Sequence, residues 1–89
     1  MSESENCKLL IGDRTIRVQL IPGRVLRFMR SGHYPPLAVI DRDFGVVIHP
    51  RAYQVAGLAE GVIRYARICQ KMGRLELPDT QVEVVRCRV

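Results

Sequence analysis

The chain has 89 residues, which is enough for one domain with a modest apolar core and no disulfide or metal support. Its three cysteines are odd in number and widely spaced, which argues against a disulfide framework or a zinc site, and its apolar runs are far shorter than the roughly 20 residues of a membrane span. The net charge is +5, and twelve of the fourteen basic residues are arginine, so polyanions or acidic protein surfaces are the favoured partners. We expect a reduced, cytoplasmic protein.

The N-terminal part of the chain predicts a short tail followed by a β-hairpin. Residues 1–6 are polar and acidic, carry no signal-peptide pattern, and are expected to be disordered before a single domain of residues 7–89. Lys8–Ile11 and Thr15–Ile21 predict two strands, because apolar residues occupy every second position of the second segment. The two-residue turn between them predicts a positive φ at Gly12.

The next segment carries three regularly spaced arginines. Arg24–Ser31 predicts a short helix closed by Gly32, with a strand as the competing interpretation. On a helix, the spacing of three would place Arg24, Arg27 and Arg30 along one slowly drifting basic stripe.

An extended loop follows at residues 33–36. Tyr34 precedes two prolines and is either a partner contact or, more commonly, an aromatic that caps the edge of the core. His33 and His49 have no partners at metal-ligand spacing, so no metal site is expected.

Two apolar runs predict a second hairpin. Leu37–Ile40 and Val46–Ile48 are almost continuously apolar, which is typical of central strands covered on both faces. Gly45 is expected in the left-handed position of the connecting loop. Asp41 and Asp43 are expected to accept hydrogen bonds from their own backbone rather than to bind a metal.

The longest element is a predicted helix over Pro50–Gly73. A proline suits its first turn and a glycine its end. Gly57 and Gly61 are unusual in a helix interior: they allow the protein's own sheet or a second copy of the helix to approach closely, or Gly57 divides the helix in two. The predicted apolar face consists of Val55, Ala59, Val62, Ala66 and Cys69, widened by Ala52, Ala56, Ile63 and Met72.

The same helix has a polar ridge formed by Glu60, Arg64, Arg67 and Lys71, and Arg74 follows it. The ridge is either a solvated face whose cations complement the negative end of the helix dipole or a contact surface.

The C-terminal part predicts a third hairpin and completes the fold class. Arg74–Leu77 and Gln81–Val89 are the predicted strands, and Arg86 and Arg88 lie at the exposed end of the second one. The predicted fold is α+β: an antiparallel sheet of about five to six strands, packed on one long helix.

The sequence contains no catalytic constellation and no cofactor motif, so it predicts a non-enzymatic binding protein without cofactor or metal. The first hypothesis is nucleic-acid binding through an arginine-rich surface. The second is a protein-interaction module (a regulator, an adaptor or a phage-type inhibitor) that binds an acidic partner, with a homodimer also possible. The predicted binding surface comprises Arg24, Arg27, Arg30, Arg64, Arg67, Lys71, Arg74, Arg86 and Arg88, with Tyr34, Gly57 and Gly61 as possible partner contacts.

Overall fold

The computed structural model describes residues 4–11, 14–30 and 35–78. Within them the chain forms five strands, then a 3₁₀ helix and one α-helix. The elements are β1 (Glu5–Ile11), β2 (Arg14–Ile21), β3 (Val25–Met29), β4 (Ala38–Asp41), β5 (Val46–Ile48), the 3₁₀ helix (Pro50–Gln54) and α1 (Leu58–Met72).

The strands form one antiparallel sheet in the order β1-β2-β3-β4-β5, so that each strand pairs with the next along the chain. α1 contacts β4, β5 and the 3₁₀ helix. The predicted α+β class is confirmed: a small five-stranded antiparallel sheet packs against one helix. The sheet therefore has an inward face, which carries the core, and an outward face.

The core is built from the alternate residues of the strands and the apolar side of α1. Burial in β2 and β3 has a period of two, because successive side chains of a strand point to opposite faces. Leu26 and Phe28 of β3 are fully buried, as are Leu58 and Val62 of α1. This single cluster fixes which side of every strand faces inward.

Gly57 divides the predicted long helix in two. Its φ of 85° is left-handed, so the 3₁₀ helix and α1 are separate elements. His49 caps the 3₁₀ helix, because its Nδ1 accepts a hydrogen bond from the backbone N–H of Arg51 at 3.1 Å. Gly73 ends α1 in a left-handed conformation, as the sequence predicts, and its N–H donates to the carbonyl of Cys69 at 2.8 Å.

The apolar face predicted for the long helix is largely confirmed across the 3₁₀ helix and α1. Val55, Ala59, Val62, Ala66, Cys69 and Ala52 are buried, whereas Ala56, Ile63 and Met72 are exposed. The sequence pattern missed Leu58 and Tyr65, which are both buried; the Tyr65 hydroxyl donates to the carbonyl of Glu76 at 2.9 Å. That bond holds the segment after the helix against α1.

The helix predicted over 24–31 is wrong, and the competing strand interpretation is correct. Val25–Met29 is β3, which pairs with β2 on one side and β4 on the other. A helix of eight residues is marginal, whereas a strand here gains two ladders and buries Leu26 and Phe28. Arg24 and Arg30 consequently flank the strand and form no helical stripe with Arg27.

The β4–β5 loop differs from the prediction in its left-handed residue. Phe44 has a φ of 67°, and Gly45 is not among the residues with positive φ. Oδ1 of Asp41 accepts hydrogen bonds from the N–H groups of Asp43 and Gly45, each at 2.9 Å, as expected for an aspartate in a tight turn. A Cβ at position 45 would lie 2.9 Å from Oδ2 of Asp41, so a larger residue there would require the Asp41 side chain to shift.

Two further strand predictions need correction. β5 is an edge of the described sheet and Val47 is 65% exposed, so this hairpin is not covered on both faces by described residues. The segment 74–77 forms no strand, because it folds back over the end of α1 and buries Leu75.

Other predictions fall at or beyond the ends of the described ranges. β1 begins at Glu5, so the last two residues of the predicted disordered tail belong to a strand. Gly12, Tyr34, Cys87 and the predicted strand Gln81–Val89 lie outside the described residues. Within the described ranges, no helix is long and apolar enough to cross a membrane.

Candidate nucleic-acid interface

The predicted binding residues do not share one side of the sheet. Arg27 lies on the outward face of β3, since its neighbours Leu26 and Phe28 are buried on the inward face. α1 packs against the inward face, and its exposed side carries Arg64 and Arg67. The described arginines therefore do not merge into the single basic surface that the sequence suggested.

The other predicted residues are distributed as follows. Arg24 is exposed in the β2–β3 turn, Arg30 is exposed directly after β3, Lys71 is exposed on α1, Gly57 is half-buried and Gly61 is buried. Tyr34, Arg86 and Arg88 lie outside the described residues.

The helix ridge is exposed, as predicted. Glu60, Ile63, Arg64 and Arg67 line a shallow cleft of about 230 Å³ on it. Lys71 lies in the last turn of α1, where the helix dipole favours positive charge, and Arg64 follows Glu60 at the favourable i,i+4 spacing of opposite charges, so the helix itself accounts for two of the three cations. Arg74, which follows, is already paired: its guanidinium contacts Oε2 of Glu76 at 2.6 and 2.9 Å.

A second basic cluster lies on the outward face of the sheet and consists of Lys8, Arg17 and Arg27, here called the basic patch. Lys8 of β1 is the direct cross-strand partner of Arg17 of β2. Arg27 of β3 is opposite Gln19, two residues along from Arg17. Directly opposed side chains have Cβ atoms about 5 Å apart and diagonal ones about 7–8 Å, so the three cations are neighbours.

The three cations of the basic patch form no ion pair within the described residues. The nearest outward carboxylate is that of Asp41 in β4, which is opposite Val25 and diagonal to Arg27, and it accepts hydrogen bonds from the backbone of its own loop. Arg27 instead donates to Oε1 of Gln19 at 3.2 Å, which restrains its guanidinium across the sheet. Like charges placed directly opposite in a sheet are destabilising, so Lys8 and Arg17 cost stability unless an anion binds between them.

Two members of the basic patch, Lys8 and Arg17, were not predicted as binding residues from the sequence. Alternation in Thr15–Ile21 already places Arg17 on the polar side of its strand, but only the register brings it beside Lys8. The helix predicted over 24–31 would also have placed Arg27 outside the sheet that carries Lys8 and Arg17. Cross-strand pairing of the first three strands was the signal that could have identified the patch.

The outward face also carries an apolar strip, formed by Ile21, Val25, Val39 and Val47. Ile21 is opposite Val25, Val39 is opposite Val47, and Val25 and Val39 are diagonal neighbours. The direct partner of Val25 in β4 is Asp41, whose carboxylate borders the strip. All four are half-buried or exposed, and none belongs to the core cluster of the described residues. The strip adjoins the basic patch, because Val39 is the cross-strand partner of Arg27.

A separate cavity of about 370 Å³ lies where the β2–β3 turn, the β4–β5 loop and the end of α1 converge. Its lining is Pro22, Gly23, Arg42, Phe44, Gly73, Arg74 and Leu75. The described lining includes no nucleophile and no acid–base pair, and one of its two arginines is held by Glu76.

The cysteines and acidic residues form no evident reactive centre in the described part of the chain. Cys7 and Cys69 are free thiols, and burial raises the pKa of both. Hydrogen bonds from the Glu76 backbone and the Tyr65 hydroxyl partly oppose this effect at Cys69. No three His, Cys, Asp or Glu side chains of the described residues are arranged to hold a metal ion.

Comparison with known proteins assigns no family to this chain. No protein-family model, no curated protein and no solved structure matches it. What the protein binds must therefore be inferred from the chemistry of its own surfaces, among which the basic patch is the least explained by folding.

Proposed function

We propose that this protein is a small, non-enzymatic nucleic-acid-binding module whose basic patch holds phosphates of the polynucleotide backbone. The observation that carries the proposal is a cluster of three cations without ion pairs, Lys8, Arg17 and Arg27, on a sheet face that no described element covers. The chain's net charge of +5 would steer a polyanion toward it.

The spacing of the basic patch suits a polymer better than a single small anion. Its three cations lie on three adjacent strands, and two inter-strand spacings amount to about 10 Å. A lone phosphate reaches one or two of these groups, whereas consecutive phosphates of a nucleic acid reach all three. Arginine adds bidentate contacts to each phosphate that lysine does not provide.

The basic patch is favoured over the helix ridge because the two sets of cations differ in what they do for the fold. On the ridge, Arg64 follows Glu60 at the favourable i,i+4 spacing, and Lys71 lies in the last turn, where the dipole of α1 stabilises positive charge. Lys8 and Arg17 oppose each other across two strands, which lowers stability. A bound polyanion offsets that cost at the basic patch and is not required at the ridge.

Two double variants that remove the same charge test this proposal. Arg17→Ala/Arg27→Ala alters the basic patch, and Arg64→Ala/Arg67→Ala alters the ridge. Binding of a labelled oligonucleotide is followed by fluorescence anisotropy over a salt series for both variants and the wild type. Loss of two phosphate contacts reduces the slope of log Kobs against log salt by about 1.4 for a single strand and about 1.8 for a duplex.

The proposal predicts that this reduction occurs in the basic-patch variant and not in the ridge variant. The reverse result would place the interface on α1. Equal small effects in both variants would mean that binding reflects net charge alone, and no measurable binding by the wild type would refute the proposal.

The protein-interaction alternative has one specific observation in its favour, which is the apolar strip. Val47 is 65% exposed and Val39 beside it is half-buried, and apolar surface of this kind is common at protein interfaces. Purification with and without nuclease treatment separates the two functions. Nucleic acid that co-purifies and is lost with nuclease supports the first, whereas a nuclease-resistant acidic protein supports the second.

A further inference from the structure

We infer that the outward face of the sheet is built for single-stranded rather than double-stranded nucleic acid, with base faces packing on the apolar strip while phosphates lie on the basic patch. This inference rests on the proposed function and names its substrate class. The observation behind it is that cations and uncovered aliphatic side chains lie on one face in direct register.

The two surfaces meet at Arg27. Its cross-strand partner in β4 is Val39, and Val25 lies two residues away on the same face of β3. Each nucleotide carries its phosphate and its base on one sugar, so a strand that binds Arg27 through phosphate can lay a base on Val25 or Val39.

A duplex cannot use both surfaces. Its base faces are stacked inside, and only base edges are accessible in the grooves. A single strand exposes base faces, and burying them against an apolar surface is favourable. The apolar strip would therefore contribute to single-strand binding and remain in contact with water on a duplex.

The shape of the face leads to the same preference. Five strands span roughly 19 Å at about 4.8 Å per spacing, which is broader than the DNA major groove of about 12 Å. The sheet face therefore cannot enter the groove to read a duplex. It offers instead an open platform across which a flexible single strand can lie.

No element formed by the described residues packs against the apolar strip. The near-continuous apolar character of β4 and β5 is typical of strands buried on both faces, yet α1 covers only their inward side. A partner on the outward face would complete that burial, and the adjoining positive charge selects a polyanion as the partner.

The test compares one labelled single-stranded oligonucleotide with its duplex, using the wild type and two variants at Val47. This residue is exposed on an edge strand, so both substitutions are compatible with folding. Val47→Tyr supplies an aromatic stacking platform and is expected to strengthen single-strand binding about five- to tenfold or more, at the lower end of base–aromatic stacking. Val47→Ser is expected to weaken it roughly two- to fivefold through lost apolar contact.

Neither variant should change duplex affinity or the salt slope, because the phosphate contacts remain. We expect the wild type to prefer the single strand at least tenfold. Equal binding of single strand and duplex, unaffected by both variants, would overturn this inference and leave the proposed function standing.

Two other results would be distinguishable from that one. Absence of binding to either nucleic acid would refute the proposed function itself. If Val47→Ser instead dissociated a dimer in sedimentation, or abolished capture of an acidic protein, the strip would be a protein interface and the single-strand inference would be wrong.

Discussion

Adjacent residues of α1, Val62 and Ile63, allow the packing of the helix on the sheet to be tested with a matched pair of variants. Val62 has no exposed surface, whereas Ile63 is 41% exposed. Val62→Asp forfeits about 1.5–3 kcal/mol of apolar burial and places a carboxyl group in the core at a cost of several kcal/mol more. At about 0.05–0.15 kcal/mol per residue, an 89-residue domain has a total stability of roughly 4–13 kcal/mol. The variant should therefore be largely unfolded.

Ile63→Asp introduces the same side chain one position along the same helix, so helix propensity is matched. It should change the free energy of unfolding by less than about 1 kcal/mol, as is usual for surface substitutions. Urea denaturation followed by circular dichroism measures both. A folded Val62→Asp protein with near wild-type stability, or equal loss in the two variants, would show that the wrong side of α1 has been assigned to the core.

Three further predictions follow from local contacts. Lys8→Glu converts the like-charged pair with Arg17 into an opposite-charged one, so the free energy of unfolding measured with urea should rise by about 0.2–1 kcal/mol while oligonucleotide binding weakens. A loss of stability would contradict the pairing of Lys8 with Arg17. Asp41→Ala removes the acceptor for two backbone N–H groups and should cost about 1 kcal/mol, whereas Asp43→Ala, which removes no such acceptor, should be neutral in the same assay. Burial raises the pKa of the Cys69 thiol above its ordinary 9.0, so its alkylation should be slow until the chain unfolds, and rapid labelling of the native protein would contradict this burial. The unfolding free energy should also fall as pH rises through 9, because the unfolded chain loses the thiol proton first.

The sequence was informative where one periodicity dominated. Strict alternation in β2 and the helical spacing around Val62 each allowed one structure only, and both were predicted correctly. Gly57 was ambiguous because a glycine in a helical pattern fits either close packing or a break. The left-handed φ that decided between them depends on how the 3₁₀ helix and α1 meet, which is a tertiary property.

The segment around Arg27 shows why the site was harder to predict than the fold. Its short run of mixed apolar and basic residues fits a helix or a strand almost equally, and only pairing with β2 and β4 selects the strand. The position of Lys8 beside Arg17 likewise follows from register, which is set by turn geometry and core packing together. Individual charges were visible in the sequence, but their neighbours across the sheet were not.

The most direct test of the basic patch as the nucleic-acid interface is a nuclear magnetic resonance titration of the labelled protein with a single-stranded oligonucleotide. The side-chain Nε–H signals of arginine report on phosphate contact at individual residues. The largest shifts are expected at Arg17 and Arg27, together with the backbone amides around Lys8. Shifts confined to Arg64 and Arg67 would place the interface on α1 and contradict the assignment of the basic patch as the interface.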